Sequence, residues 1–413
     1  MTAHVSTRSA SYAAEVTRLL WPEPWQEPRV TRIRRRGAAG HEVYLFPSEA
    51  NPRLLVPADL PQSSVMVRRL GGSRSGWAVP ARRVLERSVR SRAFPLLGWP
   101  RLRVEGSDPN ADSAERHLSR SLGTEVRIGI LLGTRRANQK PVLQVFRADG
   151  TVLGYAKIGH NPLTAELVRR EARALRRVTA AHPRSFVAPR VLHHDQWGGL
   201  EVLVMSALAS DGSARVGDAL RLAAAREVTA IGGHASTSLG ASTFLLRLRA
   251  RAGALADAGA DGDRLVVTLA QITERHGDDE LQLGGWHGDW GHWNMGVSHG
   301  VLQIWDWERH EPHVPLGFDE MHFLAQAVRP EGRNAMKHER AFLDAVDARL
   351  ADLDVPASLH HLTMLLYLAE MAARYLEALE LGSTPVLQLR TSWVISLLER
   401  QLRHPRTVPH GAS

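Results

Sequence analysis

A chain of 413 residues with 44% hydrophobic and 23% charged side chains is long enough for two or three domains with real cores, which excludes a disordered or fibrous polymer. Cysteine is absent, removing disulfides, thiolate nucleophiles, Cys-ligated zinc and iron–sulfur clusters together. The net charge of +9 is uneven: residues 1–110 carry +9, residues 111–205 +7 and residues 206–413 −7.

Of the 52 basic residues only Lys140, Lys157 and Lys337 are lysines, an arginine excess that reflects codon usage more than phosphate binding. The one basic run, Arg34–Arg36, comes without a recognition motif or stacking aromatics, so no nucleic-acid partner is expected. No apolar run approaches the roughly 18 residues that span a bilayer, and no basic-then-apolar start marks a secretory leader. A cytoplasmic protein without a membrane partner is expected.

Residues 1–20 have helical periodicity, broken by the Pro- and Trp-rich stretch 21–28. Residues 42–46 and 53–56 read as short strands joined by a turn, and 64–70 as a helix stopped by Gly71 and Gly72. Nothing in 1–105 carries recognisable chemistry, and it reads as an α+β extension packed on the rest of the chain. Residues 113–122 predict a helix ended by Gly123, followed by strands at 125–132, 142–147 and 152–158, the last two joined by an Asp149-Gly150 hairpin. Asn161-Pro162 announces a helix, with Asn as N-cap and Pro in the first turn, and with Leu163, Leu167, Leu175 and Val178 on one stripe. Strands at 187–192 and 200–205 close this β unit. From Ser206 the chain is mainly helical, with an Ala/Gly/Asp-rich loop around 250–263 and long helices at 337–350, 358–379 and 386–402. The interruption is 286–306, read as strand, loop and strand.

That interruption is the densest polar and aromatic cluster, with five of the eleven tryptophans between residues 286 and 307. Asp289 and Asn294 lie five apart in a loop, and Asp306 ends an apolar strand twelve residues later. Two carboxylates and an amide oxygen drawn from a loop and a strand are hard-oxygen donors, the set Mg²⁺ accepts alongside phosphate and water. A carboxylate that the metal does not consume can orient or accept a hydroxyl proton.

The pattern His287-Gly288-Asp289, four residues, Asn294, then Ile304-Trp305-Asp306-Trp307-Glu308 resembles the catalytic and metal motifs of aminoglycoside phosphotransferase and choline-kinase-like small-molecule kinases. The resemblance implies an α+β, protein-kinase-like two-lobe fold, with a small β-rich N-lobe (111–205), a larger helical C-lobe (206–413) and residues 1–110 as an added α+β extension. It implies ATP and Mg²⁺ as cofactors, Asp289 as catalytic base, and Asn294 and Asp306 as metal ligands. His287 would hold the catalytic loop, and Asp319, in a motif opening the next helix, would brace it. A β3 lysine and a helix glutamate are also required. Lys157 lies in the third strand, and Glu171, fourteen residues on, shares the apolar stripe, where a carboxylate needs a partner. The loop 133–141 stands where phosphates are covered, with Arg135 or Lys140 near them. Residues 201–205, ending at Met205, lead to 206–208, where adenine would bond to backbone.

Trp290 and Trp293 are expected to border the acceptor pocket, and Glu308 to be solvated or to bind the acceptor. His287, His292, His299, His310 and His313 lack zinc-binding spacing on one helix. No G-x-S-x-G elbow or dinucleotide fingerprint occurs. The sequence therefore reads as a kinase acting on a small-molecule hydroxyl, and the acidic C-terminal half suits an amine-bearing acceptor such as an aminoglycoside, choline-like compound or amino sugar. The alternative is a catalytically silent kinase-fold protein that binds nucleotide or a partner. No activation segment separates Asp306 from Asp319, so protein side chains are not expected as substrates. Acceptor identity, ATP against GTP and oligomeric state are not encoded in these motifs.

Overall fold

In a computed structural model the chain forms two compact units, Met1–Ala172 with Pro189–Leu208, and Arg173–Ala188 with Ala209–Ser413. The structure describes residues 2–32, 40–69, 78–91, 98–106, 108, 110–133, 139–209, 216–257 and 259–404. The class is α+β, with the strands concentrated in the first unit and the helices in the second. Among the described residues no helix is long and apolar enough to cross a membrane.

In chain order the first unit carries α1 (Thr2–Leu20), β1 (Arg29–Thr31), β2 (Gly40–Phe46), β3 (Leu54–Pro57), α2 (Ala78–Arg90), β4 (Arg101–Glu105), α3 (Ala114–Leu122), β5 (Val126–Leu131), β6 (Val142–Arg147), β7 (Val152–Gly159) and the start of α4 (Pro162–Ala181). After β8 (Phe186–Val187), which belongs to the second unit, it closes with β9 (Val191–Trp197) and β10 (Leu200–Ser206). Nine of these strands form one antiparallel sheet in the order β1-β4-β2-β3-β5-β6-β7-β10-β9. Residues 1–110 are therefore more than a packed extension: β3 hydrogen-bonds to β5, with Leu54 opposite Leu131 and Leu55 opposite Ile130, so four added strands continue the sheet.

Alternation along the strands builds a core on each face. Val43, Leu45, Leu55 and Val145 join one cluster with Val16 and Leu20 of α1 and Leu118 of α3, while their neighbours Tyr44, Phe46, Val56 and Phe146 join the other with Met66 and Val89. In β7, Ala156 and Ile158 enter the first cluster, which turns Lys157 to the opposite face.

Helix α4 starts as the Asn161-Pro162 signal predicts: Asn161 Oδ1 accepts from the Thr164 N–H at 2.9 Å. Its buried stripe differs from the expected one. Leu163 is exposed, and the buried stripe runs through Thr164, Val168, Glu171, Leu175 and Val178, with Ala172 and Ala174 buried at its flanks. Repeated steps of four drift about 40° each against 3.6 residues per turn, whereas alternating fours and threes stay on one face.

The second unit contains α5 (Asp218–Ala230), α6 (Thr243–Ala256), α7 (Ala260–His276), α8 (Phe318–Ala327), α9 (Ala335–Ala351), α10 (His360–Leu381) and α11 (Pro385–Arg403). Residues 362–373 of α10 are buried all round, so this helix is the centre of the unit. The expected loop at 250–263 is instead the end of α6, up to Ala256, and the start of α7, from Ala260. Alanine favours helix, and Gly262 admits the close crossing: a Cβ there would stand 2.1 Å from the Leu255 carbonyl oxygen. Strands β11 (Ala235–Ser238), β12 (Glu280–Trp286) and β15 (Glu311–Pro315) make one small sheet. The hairpin β13 (Met295–Ser298) and β14 (Val301–Ile304) makes another, β8 adding in parallel to β14.

Candidate active site

In the first unit the ammonium of Lys157 meets Glu171 at 2.7 Å and 2.6 Å from its two carboxylate oxygens. Both side chains are buried, so the pair is a fixed charge arrangement on the face of β7 that α4 covers. Met205 is buried near the end of β10, beside a register break at Val204/Met205. Arg135 lies outside the described residues.

In the second unit β12 delivers residues 287–289 into a loop that many atoms hold. Gly288 has φ of +83°, and a Cβ there would lie 2.4 Å from the Arg309 carbonyl oxygen, so only glycine fits without strain. Asp319, at the start of α8, accepts the backbone N–H groups of His287 at 2.7 Å and Gly288 at 3.1 Å. Arg374 of α10 donates to the Gly288 carbonyl at 2.5 Å and stacks over the Trp286 ring. His287 is fully buried, beside the rings of Trp290 and Trp307. Its Nδ1 accepts from the Asp289 N–H at 3.2 Å, so its Nε2–H donates to the Trp305 carbonyl at 3.1 Å. One neutral tautomer satisfies both bonds.

The Asp289 carboxylate sits in a cradle of donors. Oδ2 accepts from the Asn294 amide at 2.8 Å and the Trp293 indole at 3.2 Å, and Oδ1 lies 3.4 Å from His322 Nε2. Burial alone would raise its pKa, but His322, His287 and Trp293 outweigh that and hold the carboxyl well below the usual carboxylate range. Asp289 is therefore ionised at neutral pH, and it is only partly covered. The amide nitrogen of Asn294 is committed to Asp289, which leaves its oxygen as the atom a cation can use. Asp306 follows β14 with φ of +70°, a left-handed conformation uncommon for a non-glycine residue and frequent where function fixes the backbone. Asn294 and Asp306 supply an amide and a carboxylate oxygen, a donor set that fits Mg²⁺.

The tryptophans divide by task. Trp293 is half exposed, with its N–H on Asp289, and its own carbonyl accepts from Trp305. Trp290 is wholly buried and donates to Glu320 at 3.2 Å, so it braces the loop from below and borders no acceptor pocket. Glu308 is buried and not solvated. Residue patterns gave no sign of His322, Tyr367, Glu320 or Arg221. His322 Nδ1 lies 3.2 Å from the Tyr367 hydroxyl, while Arg221 grips Glu320 through two bonds at 2.8 and 2.7 Å. A histidine and a glutamate on the buried face of α8 were the available signal.

Burial pushes the imidazoles of His287 and His310 down to about 4; the His310 Nδ1–H donates to the Trp286 carbonyl at 2.7 Å. A depressed histidine contributes stability that is complete above its unfolded value near 6.5 and is lost as pH falls toward 4, because the unfolded chain takes up the proton first. Asp319, pushed up to about 7 by burial, acts in the opposite direction over this range. The imidazole contribution is therefore isolated by a variant: His310→Asn is expected to lose less stability than the wild type between pH 6.5 and 4. Urea midpoints across that range check it, and an unchanged slope would count against a buried neutral His310.

No protein-family model matches the chain, and no curated protein matches it. Among solved structures it is similar to a thermostable mutant of aminoglycoside phosphotransferase APH(4)-Ia in ternary complex with AMP-PNP and hygromycin B, at 13% identity and a TM-score of 0.46, over 72% of this chain and 100% of that one. It is also similar to macrolide 2'-phosphotransferase type I, at 14% identity and a TM-score of 0.44, over 67% and 94%. A third is aminoglycoside phosphotransferase APH(3'')-Id from Streptomyces rimosus with ADP and streptomycin, at 16% identity and a TM-score of 0.37, over 58% and 90%. At such overlaps the functional case rests on the side chains.

Proposed function

We propose that this protein is a cytoplasmic small-molecule kinase that moves the γ-phosphoryl group of ATP to an acceptor hydroxyl, with an amine-bearing acceptor. The observation that carries this reading is the Asp289 cradle: a partly exposed, ionised carboxylate locked by Asn294, Trp293 and His322 on a loop that Asp319 and Arg374 hold rigid. The acceptor oxygen would form a bond to the γ-phosphorus while the bond from phosphorus to the β–γ bridging oxygen breaks, releasing ADP. Asp289, with its pKa held low, would first orient the hydroxyl. It would take the proton as bonding to phosphorus makes that hydroxyl more acidic.

Asn294 and Asp306 would hold Mg²⁺, which supplies charge neutralisation for the triphosphate when bound. Lys157, fixed by Glu171, would hold the α- and β-phosphates, with Arg135 in the loop over them. The backbone after Met205 would take the adenine. Catalysis of this kind is mostly positioning and electrostatics. The −7 balance of residues 206–413 favours a cationic acceptor.

The test is magnesium-dependent ADP release from ATP with a panel of aminoglycosides, amino sugars, choline-like alcohols and neutral sugars. Turnover favouring amines supports the proposal, and preference for anionic acceptors contradicts the acceptor class. Tight nucleotide binding with no turnover on any acceptor would instead favour a silent nucleotide-binding protein. Lys157→Met is expected to weaken ATP binding about 10-fold or more, read by calorimetry, since the phosphates lose a charge-assisted donor. Unchanged ATP affinity would remove Lys157 from the site.

A further inference from the structure

We infer that His117, His193 and Asp195 form a second metal site, for a transition ion of the zinc type, unrelated to phosphoryl transfer. The three residues meet at the free edge of the nine-stranded sheet, where α3 packs beside the outermost strand, β9. In β9 side chains alternate, so His193 and Asp195 share one face, and the next residue on that face, Trp197, stacks on the His117 ring at 5.4 Å and 15°. His194, on the other face, pairs with Glu201 instead.

The donor atoms converge on one point. His117 Nε2 lies 3.2 Å from Asp195 Oδ1 and His193 Nε2 lies 2.9 Å from Oδ2, and one ligand atom from each residue falls within 4.8 Å of the others. Zinc bonds of about 2.0–2.2 Å place tetrahedral ligand atoms about 3.4 Å apart, so side-chain rotations that draw the three atoms together complete the site. Both imidazoles turn Nε2 toward the one carboxylate, His117 to Oδ1 and His193 to Oδ2, so a single ion between them can take all three residues as ligands.

Two imidazoles and a carboxylate select zinc-like ions over Mg²⁺, which prefers oxygen alone. His193 and Asp195 are about one-third exposed at the side chain, leaving access for the ion and for a water as further ligand. The frame is rigid. Helix α3 is capped by Ser113 and ended by Gly123 in the left-handed conformation, Trp197 is tied to Asp112 at 2.6 Å, and β9 is hydrogen-bonded to β10 along its length. A bound ion would clamp α3 to the sheet edge.

The absence of cysteine makes the test clean. Full-length protein is stripped with chelator and titrated with Zn²⁺ alone, then with Co²⁺ as a coloured substitute. The wild type is expected to bind one equivalent at this site and to gain thermal stability, and His117→Asn and His193→Asn to bind it about 100-fold more weakly. His193→Cys places the only thiol of the chain at the site. It is expected to retain metal and to add a sulfur-to-cobalt charge-transfer band, which also separates loss of a ligand from loss of folding. Equal Zn²⁺ uptake by the wild type and the His117→Asn/His193→Asn double variant would overturn the assignment, as would a Co²⁺-loaded His193→Cys protein without the new band.

Discussion

Replacing Asp289 with asparagine is expected to lower kcat for phosphoryl transfer by about 10²- to 10⁴-fold, the range a positioned acid–base group supplies. The substitution keeps shape. An asparagine oxygen can still accept from the Asn294 amide and the Trp293 indole, and its NH₂ group can donate to His322 Nε2 once that imidazole carries its proton on Nδ1, facing the Tyr367 hydroxyl, so the loop can keep its shape. What disappears is the negative charge that, in the proposed reaction, would align the acceptor hydroxyl and receive its proton. The loss should therefore fall on kcat, with KM for ATP little changed and the thermal midpoint near that of the wild type. Steady-state rates with a competent acceptor decide the matter, and an unaltered kcat would remove Asp289 from the chemistry.

The largest stability effect is expected at a pair that takes no part in the proposed chemistry. Arg221 and Glu320 are 1% and 0% exposed at the side chain and join through two parallel hydrogen bonds. The guanidinium also lies 3.8 Å over the Phe323 ring and donates to Asp218. Arg221→Met would leave the Glu320 carboxylate buried without its cation, a loss that typically costs about 3–5 kcal/mol. The double variant Arg221→Met/Glu320→Leu should recover much of it, because both charges then leave the interior together. Urea unfolding followed by a probe of the second unit measures both; a single variant as stable as the wild type would contradict this account. Glu320 also accepts from Trp290, so loosening the pair should propagate to the loop that carries Asp289.

Much of this arrangement was readable in order along the chain, because local signals encode it. The Asn161-Pro162 start, the left-handed turn at Gly123 and the Asp289–Asn294 spacing each depend on a few neighbouring residues. Lys157 and Glu171 were legible because the family resemblance calls for a strand lysine and a helix glutamate, and a carboxylate among apolar helix positions demands a cation. What stayed hidden depends on pairing between distant segments. The junction of β3 with β5, the parallel pairing of Phe186–Val187 with β14, and the His322–Asp289 contact join stretches that no periodicity relates. The 250–263 region misled for another reason. Alanine and glycine together look like a linker, yet the alanines propagate helix and Gly262 serves a helix crossing.

The seam between Leu54–Leu55 and Ile130–Leu131 has a practical corollary for anyone trimming this gene. Cutting away the opening hundred residues would strip β5 of its neighbour and bare a ribbon of backbone amides and carbonyls backed by oily side chains. Such a rim recruits strands from other molecules, so the shortened protein should clump during expression even with every residue of the proposed phosphate chemistry intact.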